Sequence, residues 1–386
     1  MKLSGNNKTR PETRFMMGNI ALVEGAIAAG CNFFAGYPIT PANEISEHMS
    51  KRMPEVGGVF LQGEDELCSI FAVTGAALAG AKAMTATASA GYNYVMEGIE
   101  YAVAGEIPCV IVDVQRCRGE NYATQADIMQ VRWGAAGDHE MVVLAPASVQ
   151  ELFDETVRAF NLAEKYRTPV IILSETTIAL MRENLVIPAA DQIEIVNREK
   201  PNVPREDFVP YRTAPDGTPP LPDLGTGYRV LHSLNPHDEY GDIHWKPQEY
   251  DKLYQRITNK ILAHYDDIVH TQGFFLDDAE IGFVAYGSEC RPALEAVEIA
   301  RGKGVKAGLL KLTTVWPFPE REVKALAQQC RLLVAVEMNI GKYAGEIERV
   351  AGGACEVIRV TKNQGLIHTS SEILAAIEQK TRLTVG

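Results

Sequence analysis

Three groups of side chains in this sequence have types and spacing that suit chemistry. Glu64-Asp65-Glu66 follows a short apolar run at 59–61 and opens a segment reaching Ala81, in which Leu67, Ile70, Phe71, Thr74 and Leu78 recur at helical spacing. A carboxylate placed there can exchange a proton with a ligand nitrogen. Acidic residues at a helix start also serve the helix dipole alone. Arg116 and Arg118 stand just past the β-branched run 110–114, where a guanidinium offers two parallel donors to a carboxylate or phosphate. A solvent-facing pair on a loop is the alternative. The third group is Gly36-Tyr37-Pro38-Ile39-Thr40-Pro41, which stops the buried-looking strand 33–35. Pro41 suits the first turn of a helix over 43–53 with Thr40 as its cap. Such a junction sets backbone N–H groups and a hydroxyl at a sheet edge, and a purely structural βα turn reads the same way.

Weaker signals complete the inventory. The small-residue stretch Thr85-Ala86-Thr87-Ala88-Ser89-Ala90-Gly91 reads as a strand-to-helix turn that lets a backbone approach a ligand or a neighbouring helix. His232, His237 and His244 match no helical or finger spacing, so no metal site is expected from them. The sequence has no P-loop, no G-x-G-x-x-G after a strand, no G-x-S-x-G elbow and no Gly-Asp-Gly followed by paired asparagines. Several βα junctions without a phosphate or metal motif suggest an active site shared with another chain.

The elements that must position these residues alternate. From 18 to about 175, helix-like and strand-like segments interleave. The run 110–114 is broken only by Asp113, as in a strand buried on both faces. This is the pattern of an α/β fold with a doubly wound parallel sheet. The expected organisation is a tail at 1–17, a first domain at 18–190 and a proline-rich connection at 191–277 carrying one amphipathic helix near 247–265. That connection is read as packing over the surface of a larger assembly. A smaller α/β domain is expected at 278–386.

Bulk properties narrow the function classes. The 386 residues are 46% hydrophobic, enough for two or three globular domains. A formal net charge of −13 argues against nucleic acid or an anionic membrane as partner. No apolar run is long enough to span a bilayer and the opening residues are polar, so a cytoplasmic location is expected. The 7 cysteines are scattered with no C-x-x-C, which fits reduced core thiols and leaves any iron–sulfur ligands to other chains.

Taken in order, GYPITP at 36–41, EDE at 64–66, PCVIVDVQR at 108–116, VVLAP at 142–146, HDEYG at 237–241, LKLTTVWPFPE at 310–320 and VEMNIGKYAGEIERV at 336–350 resemble one family. It is the alpha subunit of the 2-oxoacid:ferredoxin oxidoreductases, of the 2-oxoglutarate or branched-chain type, and the resemblance runs from about 19 to 374. It implies a pyrimidine-binding domain of a thiamine diphosphate enzyme followed by a domain resembling the C-terminal domain of transketolase. It also implies a cofactor shared with a beta subunit that holds the diphosphate and Mg2+. [4Fe-4S] clusters on partner chains, further gamma and delta (ferredoxin-like) chains, ferredoxin as acceptor and coenzyme A as co-substrate follow in the same way. By position, Glu66 matches the glutamate that hydrogen-bonds N1′ of the aminopyrimidine, with Tyr37, Pro38, Ile39 and Gly91 lining the cofactor. Arg116 matches the arginine on the substrate carboxylate and Thr40 the threonine beside it. The implied reaction is CoA-dependent oxidative decarboxylation of a 2-oxoacid to acyl-CoA and CO2.

Three positions depart from the family pattern: Cys117-Arg118-Gly119-Glu120 replaces Gly-Gly-Pro, Ala88-Ser89-Ala90-Gly91 replaces Ser-Gly-Pro-Gly, and Ala136 replaces a histidine. An added Arg118 offers a second carboxylate site and favours 2-oxoglutarate over 2-oxoisovalerate. A non-redox thiamine-dependent decarboxylase subunit and a non-catalytic scaffold subunit of a redox complex are the other readings.

Overall fold

The structure is a computed structural model that describes residues 11–117, 122–363 and 365–381, the side chains of 379–381 excepted. In chain order the first part comprises β1 (Glu12–Met17), α1 (Gly18–Ala28), β2 (Phe33–Gly36), α2 (Asn43–Val56), β3 (Val59–Gln62), α3 (Glu66–Leu78), β4 (Ala83–Thr87), α4 (Ser89–Ala104) and β5 (Cys109–Gln115). There follow α5 (Gln130–Trp133), β6 (Val142–Leu144), α6 (Val149–Tyr166), β7 (Pro169–Glu175), α7 (Thr176–Leu180) and β8 (Arg182–Ile187). After a long connection come α8 (Pro247–Leu262), α9 (Tyr265–Ile268), β9 (Thr271–Phe274), β10 (Ile281–Tyr286), α10 (Cys290–Gly302), β11 (Ala307–Leu312) and β12 (Thr314–Trp316). The last elements are α11 (Glu320–Gln329), β13 (Leu332–Glu337), α12 (Ala344–Ala351), β14 (Glu356–Thr361) and α13 (Ser370–Thr381).

The sequence of β5 explains its central place. Cys109 and Ile111 pack into the core beneath α3 and α4, while Val110, Val112 and Val114 enter the core against α1, α2 and α6. Alternation with both faces apolar is what a strand covered by helices on two sides requires. Full burial of each such side chain contributes about 1.5–3 kcal/mol. The strands form a 7-stranded sheet in the order β12-β6-β7-β5-β4-β2-β3. β2 through β7 run parallel, and β12 joins antiparallel with Thr314 opposite Leu144. A 5-stranded sheet, β14-β13-β10-β11-β9, forms the second layer system, with β9 antiparallel at its edge. The expected α/β class with a doubly wound parallel sheet is the observed one.

Several expectations on boundaries are corrected. Residues 12–17, read as tail, form β1 and pair antiparallel with β8, Glu12 opposite Ile187. Backbone pairing makes this ribbon, and Phe15 on it stays 68% exposed, so no apolar period announces it. The second sheet takes its first strand at Thr271, ahead of the expected start at 278. Thr314–Trp316 belongs to the first sheet although it lies deep in the second sequence region.

The connection after β8 packs on this chain itself. Lys260 Nζ and Arg256 Nη2 of α8 donate to the two oxygens of Glu106 at 2.6 and 2.7 Å. Arg167 Nη1 donates to the Pro219 carbonyl at 2.9 Å, and Tyr254 Oη to Glu100 at 2.6 Å. No helix among the described residues is long and apolar enough to cross a membrane.

Candidate functional site

The chain order around β2 reverses: β3 lies on one side of it and β4 on the other. In open α/β sheets ligands enter the crevice at such a switch point, beyond the carboxyl ends of the strands. The described segments leaving these ends are 37–42 after β2, 63–65 after β3, Ala88 after β4 and 116–117 with 122–128 after β5, and they and the first turns of α3 and α4 hold the candidate residues described.

Asp65 caps α3: its carboxylate accepts from the Cys68 N–H at 2.6 Å, which leaves Glu66 in the first helical turn. Asp65 and Glu64 are exposed, whereas Glu66 is only 7% exposed. Among the described residues its carboxylate makes no side-chain hydrogen bond or ion pair. A Cβ on Gly91 would lie 2.2 Å from Glu66 Oε1 and equally close to Thr87 Oγ1, so any side chain at 91 would have to push this carboxylate and the Thr87 hydroxyl aside. Gly91 thus sits inside α4, which starts at Ser89, and not in a preceding turn as expected. Buried polar groups ordinarily find partners. A carboxylate held near the surface of a cradle with no partner among the described residues suits a ligand nitrogen, such as that of an aminopyrimidine ring.

Thr40 is not the cap of α2. The helix begins at Asn43, whose side-chain Nδ2 donates to Thr40 Oγ1 at 3.0 Å, and Ala42 holds the N-cap position with no side-chain bond. Thr40 and Ile39 are half-buried, while Tyr37 and Pro38 are exposed at the same edge. Exposed Leu67 and Phe71 on α3, Tyr94 on α4 and Leu61 on β3 add apolar surface to the elements that carry Glu66.

Arg116 is half-buried at the end of β5. Its backbone N–H donates to Ser89 Oγ at 3.0 Å. Together with Ser89, Asn93, Cys117, Thr124, Asp127, Gln130 and Asn363 it lines a cavity of about 400 Å³. Arg118, with Gly119 and Glu120, lies outside the described residues. The structure therefore brings Glu66, Gly91, Thr40 and Arg116 to one edge of one sheet.

Residues that sequence reasoning passed over complete this edge. Gln125 is fully buried and tied to the second sheet's loops. Its N–H donates to the Met338 carbonyl at 2.9 Å, its Nε2 to the Tyr286 carbonyl at 2.9 Å, and its Oε1 accepts from Met338 N–H at 2.9 Å. Lys342 Nζ reaches the Ala126 carbonyl at 2.6 Å. Glu175, at the end of β7, accepts from Ser288 N–H at 2.7 Å; burial pushes its carboxyl up to about 7. Residues 125 and 126 are thus tied to the loops of the second sheet. Their only sequence signal was that a loop beside a site has no pattern of its own.

The histidines are occupied otherwise. His244 Nε2 pairs with Asp238 Oδ2 at 2.8 Å, and His237 packs on Tyr211 with ring centroids 4.1 Å apart. Among the described residues no group of three His, Cys, Asp or Glu could hold a metal ion. All seven cysteines are free thiols.

The fold and this edge define a class. Residues 24–256 match the family described as pyruvate flavodoxin/ferredoxin oxidoreductase, thiamine diphosphate-binding, and 279–373 match the pyruvate:ferredoxin oxidoreductase core domain II. The chain belongs to this oxidoreductase family, as an alpha-type subunit of its 2-oxoacid:ferredoxin members.

Within it, the chain is 47% identical to the 2-oxoglutarate synthase subunit KorA of Methanothermobacter marburgensis, over 95% of this chain and 98% of that protein. It is 36% identical to the ketoisovalerate oxidoreductase subunit VorB of the same organism, over 95% of this chain and 97% of that protein. Among solved structures it resembles the 2-oxoglutarate:ferredoxin oxidoreductase of Magnetococcus marinus, with TM-score 0.89 and 28% identity. That likeness covers 95% of this chain and 65% of the other. A split-gene transketolase shares the fold, with TM-score 0.55 and 14% identity over 94% of this chain and 95% of that one.

Proposed function

We propose that this chain is the substrate- and pyrimidine-binding subunit of a CoA-dependent 2-oxoglutarate:ferredoxin oxidoreductase, which makes succinyl-CoA and CO2 and passes electrons to ferredoxin. The observation that carries the reading is Glu66, a 7% exposed carboxylate without a partner among the described residues, in a cradle kept open by Gly91. Thiamine diphosphate, when bound, supplies a carbanion nucleophile and an electron sink for decarboxylation. Glu66 would hold the proton at the aminopyrimidine N1′, and Tyr37, Pro38, Ile39 and Gly91 would border the ring. Arg116 would take the substrate carboxylate as a charged two-pronged donor, with Thr40 adding one hydroxyl bond.

A chain with no diphosphate motif of its own needs a beta subunit for the diphosphate and its Mg2+. The exposed apolar side chains of α3 and α4 beside Glu66 offer that subunit a seat. Separate gamma and delta chains and [4Fe-4S] clusters on partner chains complete this reading, supported by scattered cysteines with no C-x-x-C to hold a cluster. Seven free thiols support a reducing, cytoplasmic setting. The higher identity to 2-oxoglutarate synthase subunits than to the ketoisovalerate subunit favours 2-oxoglutarate over 2-oxoisovalerate.

The test is viologen reduction by the anaerobically purified complex with thiamine diphosphate, Mg2+ and coenzyme A. It compares 2-oxoglutarate, 2-oxoisovalerate, pyruvate and an aryl 2-oxoacid. CoA-dependent reduction with 2-oxoglutarate alone is expected. Preference for 2-oxoisovalerate would move the substrate assignment, CoA-independent decarboxylation would indicate a non-redox enzyme, and a Glu66→Gln complex with unchanged turnover would make the chain a scaffold.

A further inference from the structure

Asp113 is the one charged residue of β5, and it is completely buried. It stands opposite Thr87 in the β4–β5 register, on the strand face that looks toward α4. The groups facing it are the carboxyl of Asp127, the backbone N–H of Ser89 and the buried Tyr92 of α4. Neither Asp113 oxygen has a hydrogen bond of ordinary geometry to a donor. Two carboxyl groups that meet in a dry site cannot both be ionised, and one proton placed between them turns a repulsive contact into a hydrogen bond.

Asp127 is fixed from several sides. Its carboxylate accepts the Ser89 hydroxyl, and its backbone N–H donates to Gln115 Oε1 at 3.0 Å. Lys342 of the second domain acts on the same carboxyl. The Ser89 hydroxyl has one proton to give. While it gives that proton to Asp127, its lone pairs remain free to accept the Arg116 N–H at 3.0 Å. The Arg116 carbonyl, 3.2 Å away, is the other acceptor for that hydroxyl. One proton shared between the two carboxyls satisfies these bonds together, and the complete burial of Asp113 favours its residence there. Burial, and then the neighbouring Asp127, push the Asp113 carboxyl well above its ordinary range; burial also raises Asp127.

We infer that Asp113 and Asp127 are a proton-sharing carboxyl pair that positions Arg116, through Ser89, for the carboxylate of the 2-oxoacid. This rests on the reading of Arg116 given above. The pair touches neither substrate nor cofactor; both are positioning residues. Its charge also sets the field in which Arg116 works: with one proton the pair carries a single negative charge, and losing it places a second beneath the cavity. The other titratable groups in reach are Tyr92, Lys342, Cys117 and Arg116 itself, with Glu66 across Thr87 and Gly91.

The experiment measures KM for 2-oxoglutarate and kcat in the assembled complex from pH about 6 to about 10, together with infrared spectra of the protonated-carboxyl region. The wild-type KM is expected to rise on the alkaline side while kcat changes little. Asp113→Ala should raise KM about tenfold at neutral pH. Asp113→Asn, which donates permanently from an amide, should restore KM to within about threefold and remove the alkaline rise. The protonated-carboxyl band should vanish in Asp113→Asn. An unchanged alkaline limb in Asp113→Asn, or an unchanged band, would overturn the pair. Arg116→Lys is the separate control: an unaltered KM there would defeat the substrate reading of Arg116, and the infrared band would still decide the pair.

Discussion

Two buried glutamates in the first domain have opposite surroundings. Glu106, at 0% exposure behind the sheet, receives Lys260 and Arg256 on its two oxygens, with Arg167 close by. Burial alone would raise its carboxyl, but the charges of Arg256, Lys260 and Arg167 outweigh it and hold it far below the ordinary range. Glu66, at the opposite edge, is nearly as buried and has no such partner among the described residues. A carboxylate kept for structure is answered within its own chain. One left unanswered in the first turn of α3 supports the reading that it is kept for something that arrives.

The largest expected effect breaks the Glu66 side. Glu66→Gln should lower turnover by about 10²–10⁴-fold, measured by viologen reduction, since the proton it manages is lost. The same variant should leave the melting temperature unchanged or slightly raised, as stability is often given up at functional sites. Glu106→Gln should act the opposite way. It strands the surrounding cations and should cost about 3–5 kcal/mol in chemical denaturation, while folded protein keeps its KM for the 2-oxoacid. If Glu106→Gln were silent in stability, the contrast would fall.

A smaller change sharpens the same edge. Arg116→Lys keeps the charge but loses the fork, and KM for the 2-oxoacid should rise about tenfold or more with kcat less affected. The smallest concerns the seam between domains. Glu175 has its carboxyl raised from 4.5 to about 7. Its protonated form is therefore favoured by folding, and that contribution is complete below pH 4.5 and disappears as pH rises through 7. Glu175→Gln should flatten this slope in urea denaturation measured at several pH values.

Much of the sheet was readable because its strands are apolar on both faces and separated by amphipathic helices. Asp113 stood out as the single charge within 110–114, though its purpose emerges only when Asp127 and Ser89 are folded against it. Glu66, Arg116 and Thr40 could be nominated from their places after strands, but the capping roles could not. Asp65 caps α3, and Thr40 receives a bond from Asn43 instead of capping α2. Gln125 was invisible because its partners, Met338 and Tyr286, are more than a hundred residues away. β1 escaped because its inward-facing positions are Glu12, Arg14 and Met16 while Phe15 faces out, so its buried face has no apolar period to read.

The strand Thr314–Trp316 has a practical consequence for anyone dividing this chain. It covers the outer edge of Val142–Leu144, a fully buried Val-Val-Leu segment. A fragment ending near 270 would leave that edge bare, with unpaired backbone groups and three aliphatic side chains ready to recruit another strand. The isolated first domain is expected to aggregate, so crystallisation or labelling work on this subunit should keep the chain through Trp316.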